Sequence, residues 1–212
     1  MSRFAILLNG PIIPTRRLKK QAQGARALAA DGGIVHAASL CLDVELWVGD
    51  FDSTSEELAV RYRAIPQQQF PTAKNKTDGE LAAEEAIRRG ATSLLFIGSF
   101  GGQVDHALGH LTLSVRLAQK GIPTILTSGD EEAHPLLPGR TRIKLPASSR
   151  LSIVPFSDLS GLSLSGTQWP LEDASVAFGS TLTLSNLATG PVEIGLRSGC
   201  AVAIAYPQPE VS

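Results

Sequence analysis

Gly49-Asp-Phe-Asp-Ser53 sets two carboxylates, Asp50 and Asp52, two residues apart. They stand where an apolar, β-branched and aromatic run, Val44–Val48, gives way to polar chain, so a buried strand ends there. On extended backbone both carboxylates lie on one side, about 7 Å apart. Two such groups repel unless a cation lies between them, and a hard ion such as Mg²⁺ takes oxygen ligands and shares them with phosphate. Ligands of open α/β sheets bind at the carboxyl ends of strands, which agrees with the placing. The plainer alternative is that Asp50 caps a turn and that Asp52 or Ser53 caps a helix over 55–64.

Other stretches carry related chemistry. In Asp31-Gly32-Gly33 the glycines let a phosphate or a ring approach the backbone, and Asp31 can accept from a sugar hydroxyl; a simple glycine-rich turn is the alternative. In Lys74-Asn75-Lys76-Thr77-Asp78, Thr77 and Glu80 form a capping box, so a helix starts there. Its first N–H groups favour anions, and Lys74 and Lys76 add positive charge suited to phosphate. Asp78 either joins Asp50 and Asp52 on one metal or complements the helix dipole. A glycine-rich loop, Gly98 to His106, includes Gly101, Gly102 and Asp105 and leads from a strand into a long helix, with Asp105 as the expected N-cap. Its spacing matches neither of the common phosphate-loop patterns. His106 and His110 have a zinc-compatible spacing but no third ligand at a suitable distance in sequence. Farther on, Trp169 in Gly166-Thr-Gln-Trp-Pro is either a lid on a small core or a stacking platform, with Ser185-Asn186 as polar groups to set beside it.

These stretches need strands and helices to position them. The chain has 212 residues, 43% hydrophobic and 18% charged, with net charge −1. That is an ordinary globular composition with no bias toward nucleic acid or an anionic membrane. Arg16–Lys20 reads as a solvated helix face. Cys41 and Cys200 read as buried, reduced thiols of a cytoplasmic protein, and no run reaches membrane-spanning length. Up to residue 138 strands and helices alternate: strands over 4–8, 25–30, 44–48, 65–71, 93–97 and 123–126, and helices over 34–42, 55–64, 77–89 and 106–120. This order implies a mainly parallel sheet with flanking helices. From Pro135 to Pro146 the prolines and Gly139 suggest a linker. Short alternating runs follow at 151–154, 162–165, 181–184, 192–196 and 201–204, as in an antiparallel β-sandwich. The expectation is an α/β domain over 1–138 and a β-sandwich domain over 139–212.

Taken together in this order, the motifs resemble those of the thiamine pyrophosphokinase family. They are Asn9-Gly10, Asp31-Gly32-Gly33, Gly49-Asp-Phe-Asp-Ser53, Lys74 with Thr77-Asp78, Gly101-Gly102-x-x-Asp105-His106, Trp169-Pro-Leu171, and Phe178-Gly179 with Ser185-Asn186. The resemblance implies transfer of a diphosphoryl group from ATP to thiamine by a homodimeric kinase, releasing AMP. It implies that Asp50, Asp52 and Asp78 hold Mg²⁺ on the triphosphate, with Asp78 and Asp105 as candidate bases. Asn9, Asp31, Gly32, Gly33, Lys74, Lys76, Thr77, Gly101, Gly102 and His106 would line the nucleotide. Trp169, Ser185 and Asn186 would meet thiamine across the subunit interface. The chain departs from the family pattern at Gln103, Asn75 and His110, where Arg, Asp and Asn are usual. A diphosphotransferase for another hydroxymethyl heterocycle, such as a pterin, and a non-catalytic binding protein are the competing readings.

Overall fold

The computed structural model describes residues 2–51, 55–70 and 75–209. They form two compact units, one of Met1–His110 with Ile122–Gly129, the other of Leu111–Gly121 with Asp130–Ser212.

The first unit contains β1 (Arg3–Leu7), α1 (Arg16–Ala22), β2 (Arg26–Ala30), a 3-10 turn (Asp31–His36) running into α2 (Ala37–Leu40), β3 (Val44–Gly49), α3 (Glu56–Arg61), β4 (Gln67–Gln69), α4 (Asp78–Arg88), β5 (Ser93–Ile97), the start of α5 (Val104–Gln119) and β6 (Thr124–Thr127). Its strands run in the order β6-β5-β1-β2-β3-β4, every pair parallel. Phe4, Ala5, Ile6 and Leu7 are fully buried in succession, as are Ala27, Leu28 and Ala29. Such unbroken apolar runs belong to strands covered on both faces. The chain lays β1 to β4 outward in one direction, then returns to place β5 on the other side of β1. The strand order therefore reverses between β1 and β5, where ligands of open α/β sheets bind.

A charged network ties the end of α4 to the sheet. Arg26 grips Glu45 through two 2.6 Å bonds, Arg89 stands 3.8 Å from Glu45, and Glu85 accepts from Arg88 at 2.6 Å and from Arg89 at 2.5 Å. The Glu85 side chain is only 7% exposed. Arg88 foremost, with help from Arg89, holds its carboxyl below the usual carboxylate range, against the opposing effect of burial. A depressed folded-state pKa contributes stability above the unfolded value, and that stability is lost as pH falls through the folded value. Glu85→Gln should therefore cost about 1–2 kcal/mol near pH 7. The gap from wild type should close as melts are taken at successively lower pH, below the ordinary glutamate range. A gap constant with pH would show that the charge is not what stabilises.

The second unit contains β7 (Glu132–Leu136), β8 (Gly139–Ile143), β9 (Arg150–Pro155), β10 (Leu159–Thr167), β11 (Leu171–Val176), β12 (Asn186–Leu196) and β13 (Ala201–Tyr206). All of its pairings are antiparallel. The long β12 serves two sets of strands: Asn186 and Leu187 pair with β9, while its later residues pair with β8 and β10. Leu151 and Ile153 from one set and Leu162, Leu164, Val192 and Ile194 from the other share a single core.

Several expectations change. The proline-marked linker is instead β7 and β8, and β7 pairs with β13 straight past Pro135, which lies opposite Val202. By contacts the second unit takes in Leu111–Gly121 and everything from Asp130, β7 included. Thr181–Leu184 is a turn whose polarity is inverted: Thr183 is buried and donates to the Ile153 carbonyl at 2.6 Å, while Leu182 and Leu184 are exposed. Cys41 is exposed, in the left-handed position after α2, and Cys200 is half-buried; both are free. Among the described residues, no helix is long and apolar enough to cross a membrane.

Candidate functional site

The loops at the carboxyl ends of β1, β2 and β5 and the starts of α4 and α5 enclose a cleft of about 420 Å³. Leu8, Asn9 and Gly10 follow β1, Ala30 and Asp31 end β2, and Gly98, Ser99 and Phe100 follow β5. Thr77, Asp78 and Gly79 come from the start of α4, and Gly102, Gln103, His106 and His110 from the start of α5. The cleft thus lies at the reversal of strand order.

Backbone packs on backbone in its walls. A methyl group on Gly10 would strike the Gly98 and Phe100 carbonyl oxygens, and one on Gly32 would strike the Asn9 amide. Gly33 lies equally tightly against β1 at Leu7. Asp31 has φ 44, a left-handed conformation that suits Asp better than most residues. Its carbonyl accepts the indole N–H of fully buried Trp47 at 2.7 Å, which fixes the turn. The Asp31 carboxylate lies against Gly49, the residue before Asp50.

Thr77 caps α4, accepting the Glu80 N–H at 3.2 Å, and Asp78 is the first residue of that helix. The helix N-terminus therefore opens onto the cleft, a setting that favours anions. His106 and His110 face one another edge-on, ring centres 6.3 Å apart. His110 lies 3.4 Å from the Ser99 carbonyl through Nδ1. Burial foremost, and the neighbouring His106 in lesser part, keep its pKa below the ordinary histidine value.

Of the residues expected at the nucleotide, Asn9, Asp31, Thr77, Gly102 and His106 line the cleft, and so does Asp78, which was expected at the metal. Gly32 and Gly33 support its walls from behind. Gly101, with φ +76, packs on Pro11 instead. Lys76 is turned to Glu84, bonded to both carboxylate oxygens at 2.7 Å. Asp105 is exposed and inside the first turn of α5 rather than before it; its carboxylate accepts the N–H of His106 at 2.9 Å. Asp50 follows the end of β3 and is not in the cleft lining. Asp52 and Lys74 lie outside the described residues. The lining that the sequence did not single out, Leu8, Ala30 and Gly79, carries no chemical signature in sequence, while Ser99 and Phe100 come from the glycine-rich loop that it did.

The described lining holds two carboxylates and no Lys or Arg. A polyanion enters such a cleft only with a cation. Oxygen donors from Asp31 and Asp78 suit a hard divalent ion. Among the described residues no three ionisable or thiol ligands gather closely enough to hold a metal by themselves.

In the second unit Trp169 is 55% exposed. The Asn186 side chain brackets its backbone, accepting the Trp169 N–H at 3.2 Å and donating to its carbonyl at 2.7 Å. Asn186 is itself buried, so it presents Trp169 instead of reaching outward. Ser185 is exposed, at φ 61, its N–H bonded to Ser152 Oγ at 3.0 Å.

Comparison with known proteins gives a consistent picture. Residues 18–126 match the family described as "Thiamin pyrophosphokinase, catalytic domain", and residues 140–201 match "Thiamin pyrophosphokinase, vitamin B1 binding domain". A thiamine pyrophosphokinase of Bacillus subtilis (strain 168) is 32% identical over 142 residues, which is 65% of this chain and 66% of that protein. The crystal structure of thiamine pyrophosphokinase from Bacillus subtilis superposes with a TM-score of 0.85 at 24% identity, covering 98% of this chain and 100% of that one. That from Geobacillus thermodenitrificans gives 0.83 at 22% identity, covering 98% and 99%. Yeast thiamin pyrophosphokinase gives 0.75 at 14%, covering 99% and 87%. At these identities the structural likenesses speak for the fold.

Proposed function

The chain belongs to the thiamin pyrophosphokinase family, and from that premise we propose that it transfers a diphosphoryl group from ATP to the hydroxyethyl oxygen of thiamine. The products are thiamine diphosphate and AMP. One observation carries the reading: an acidic cleft, opened by a helix N-terminus and walled by closely packed glycine loops, at the reversal of strand order. A nucleotide triphosphate has the length, charge and need for backbone donors that such a cleft supplies.

Asp78 and Asp50, with Asp52, would hold Mg²⁺, and Asp31 lies close enough to the end of β3 to join them. When bound, the ion neutralises phosphate oxygens and aligns them for in-line attack. The first N–H groups of α4 stabilise charge on the phosphate chain. The glycine walls let the chain lie against main-chain atoms with no side chain between them. Asn9 and Gly102 bound the same space. Transfer of this kind needs positioning and charge compensation more than covalent help, so the rigid walls are the main contribution of the protein.

The exposed indole of Trp169 offers a cationic heterocycle a π face, a contact worth about 0.5–2 kcal/mol. We place that contact at the interface of a homodimer in the cytoplasm, where two free cysteines are at home. The pterin reading and the non-catalytic reading gain no support from the comparisons.

Product analysis tests the assignment. Protein incubated with thiamine, ATP and Mg²⁺ should yield thiamine diphosphate and AMP in equal amounts. Release of ADP would mean monophosphoryl transfer, and no product at all would refute the proposal.

A further inference from the structure

The Asn9-Gly10 and Asp31-Gly32-Gly33 stretches meet the cleft directly, but a residue outside the lining joins them. His36 ends the 3-10 turn that Asp31 begins, and its Nε2 lies 2.8 Å from the Gly10 carbonyl oxygen. A carbonyl only accepts, so Nε2 carries the proton. Leu8 adds a second, weaker backbone interaction, and burial keeps the imidazole pKa below its ordinary value. Gly10 in turn presses on the carbonyl oxygens of Gly98 and Phe100. A shift of the Gly10 peptide would therefore be transmitted to the wall on the other side of the cleft.

We propose that His36 is a positioning residue for the nucleotide: its Nε2–H holds the Gly10 carbonyl and so fixes the loop after β1 as part of the phosphate-facing wall. The inference rests on the reading of the cleft as an ATP site. A carbonyl oxygen free to turn toward a triphosphate repels it, whereas one engaged by a donor cannot turn. His36 is not itself a lining residue and reaches the lining only through backbone atoms, the Gly10 carbonyl foremost, so its effect is on the shape and dipoles of the wall.

The test is ATP binding and steady-state kinetics of His36→Leu and His36→Gln beside wild type. Leucine fills similar space without a donor; glutamine restores an N–H at about the reach of Nε2. His36→Leu should raise the KM and the equilibrium Kd for ATP about tenfold, the effect of one lost hydrogen bond to a site that must stay ordered. Its kcat and the KM for thiamine should stay within about twofold, a split that general loosening of the fold would not give. His36→Gln should recover ATP affinity. Should the leucine variant fail to fold, His36→Asn, whose amide is too short to reach Gly10, carries the same expectation. Unchanged ATP affinity in His36→Leu, or glutamine no better than leucine, overturns the proposal. If wild type itself binds no ATP, the reading of the cleft fails instead, so the two failures are told apart.

Discussion

Asp78→Asn should lower kcat about a thousandfold while leaving the melting temperature within a few degrees of wild type. The reasoning separates the two roles open to this carboxylate. As the first residue of α4, Asp78 interacts favourably with the helix dipole, a contribution of about 0.3–1 kcal/mol. Its loss is small because the Thr77 cap stays in place, still accepting from Glu80. As a lining residue of an acidic cleft, it also supplies a charged oxygen where the proposed reaction would bring a cation and triphosphate together. Asparagine keeps the size of the side chain and removes that charge. Turnover measured at saturating ATP, thiamine and Mg²⁺, beside a thermal melt, decides between them. A variant that melts early but turns over normally would leave Asp78 with the dipole alone, and the proposed phosphate site would lose its central carboxylate.

Much of that cleft could be read from side-chain type. Asp31, Thr77, Asp78 and His106 carry oxygen or nitrogen groups at the ends of predicted elements, and all four line it. What sequence could not say is which of two like neighbours faces inward. Gly101 and Gly102 are adjacent and chemically identical, yet Gly101 turns onto Pro11 while Gly102 faces the cleft. Lys76 carries the charge expected of a phosphate ligand but is neutralised by Glu84, two turns along α4, an interaction that depends on rotamer and not on spacing. Leu8 and Ala30 were illegible because they are brought to the cleft by strand ends, with no distinguishing composition of their own.

The parallel order was legible for the opposite reason. Buried runs such as Phe4–Leu7 and Leu94–Ile97 leave no polar face to satisfy, so only a covered sheet accommodates them. In the second unit alternation misled at Thr181–Leu184, where the Thr183 hydroxyl points inward because it finds the Ile153 carbonyl. Asn186 looked like a ligand for the same reason that it works as a bracket: its amide offers a donor and an acceptor together, and Trp169 takes both.

Gly98→Ala should be a strongly damaging single methyl group at the cleft. Gly98 has φ +83, and a Cβ there would lie 2.6 Å from the Leu8 carbonyl oxygen and 2.8 Å from that of Gly10. The backbone conformation alone costs alanine about 1 kcal/mol. The contacts add more, because carbonyl oxygens of a packed loop cannot swing aside as a side-chain end can. The strand beyond cannot absorb the shift either: the Gly98 N–H is tied to the Thr127 carbonyl at 2.9 Å and the Leu8 N–H to that of Ile97 at 2.8 Å. The combined cost should reach about 3 kcal/mol, lowering the melting temperature by roughly 6–12 °C, and ATP affinity should fall with it. Gly102→Ala provides the contrast, since Gly102 lines the same cleft but its added methyl would meet open space. Its melting temperature should match wild type. Equal destabilisation by both substitutions would mean that glycines here serve general chain flexibility, and the close packing of the loops after β1 and β5 would not be what shapes the cleft.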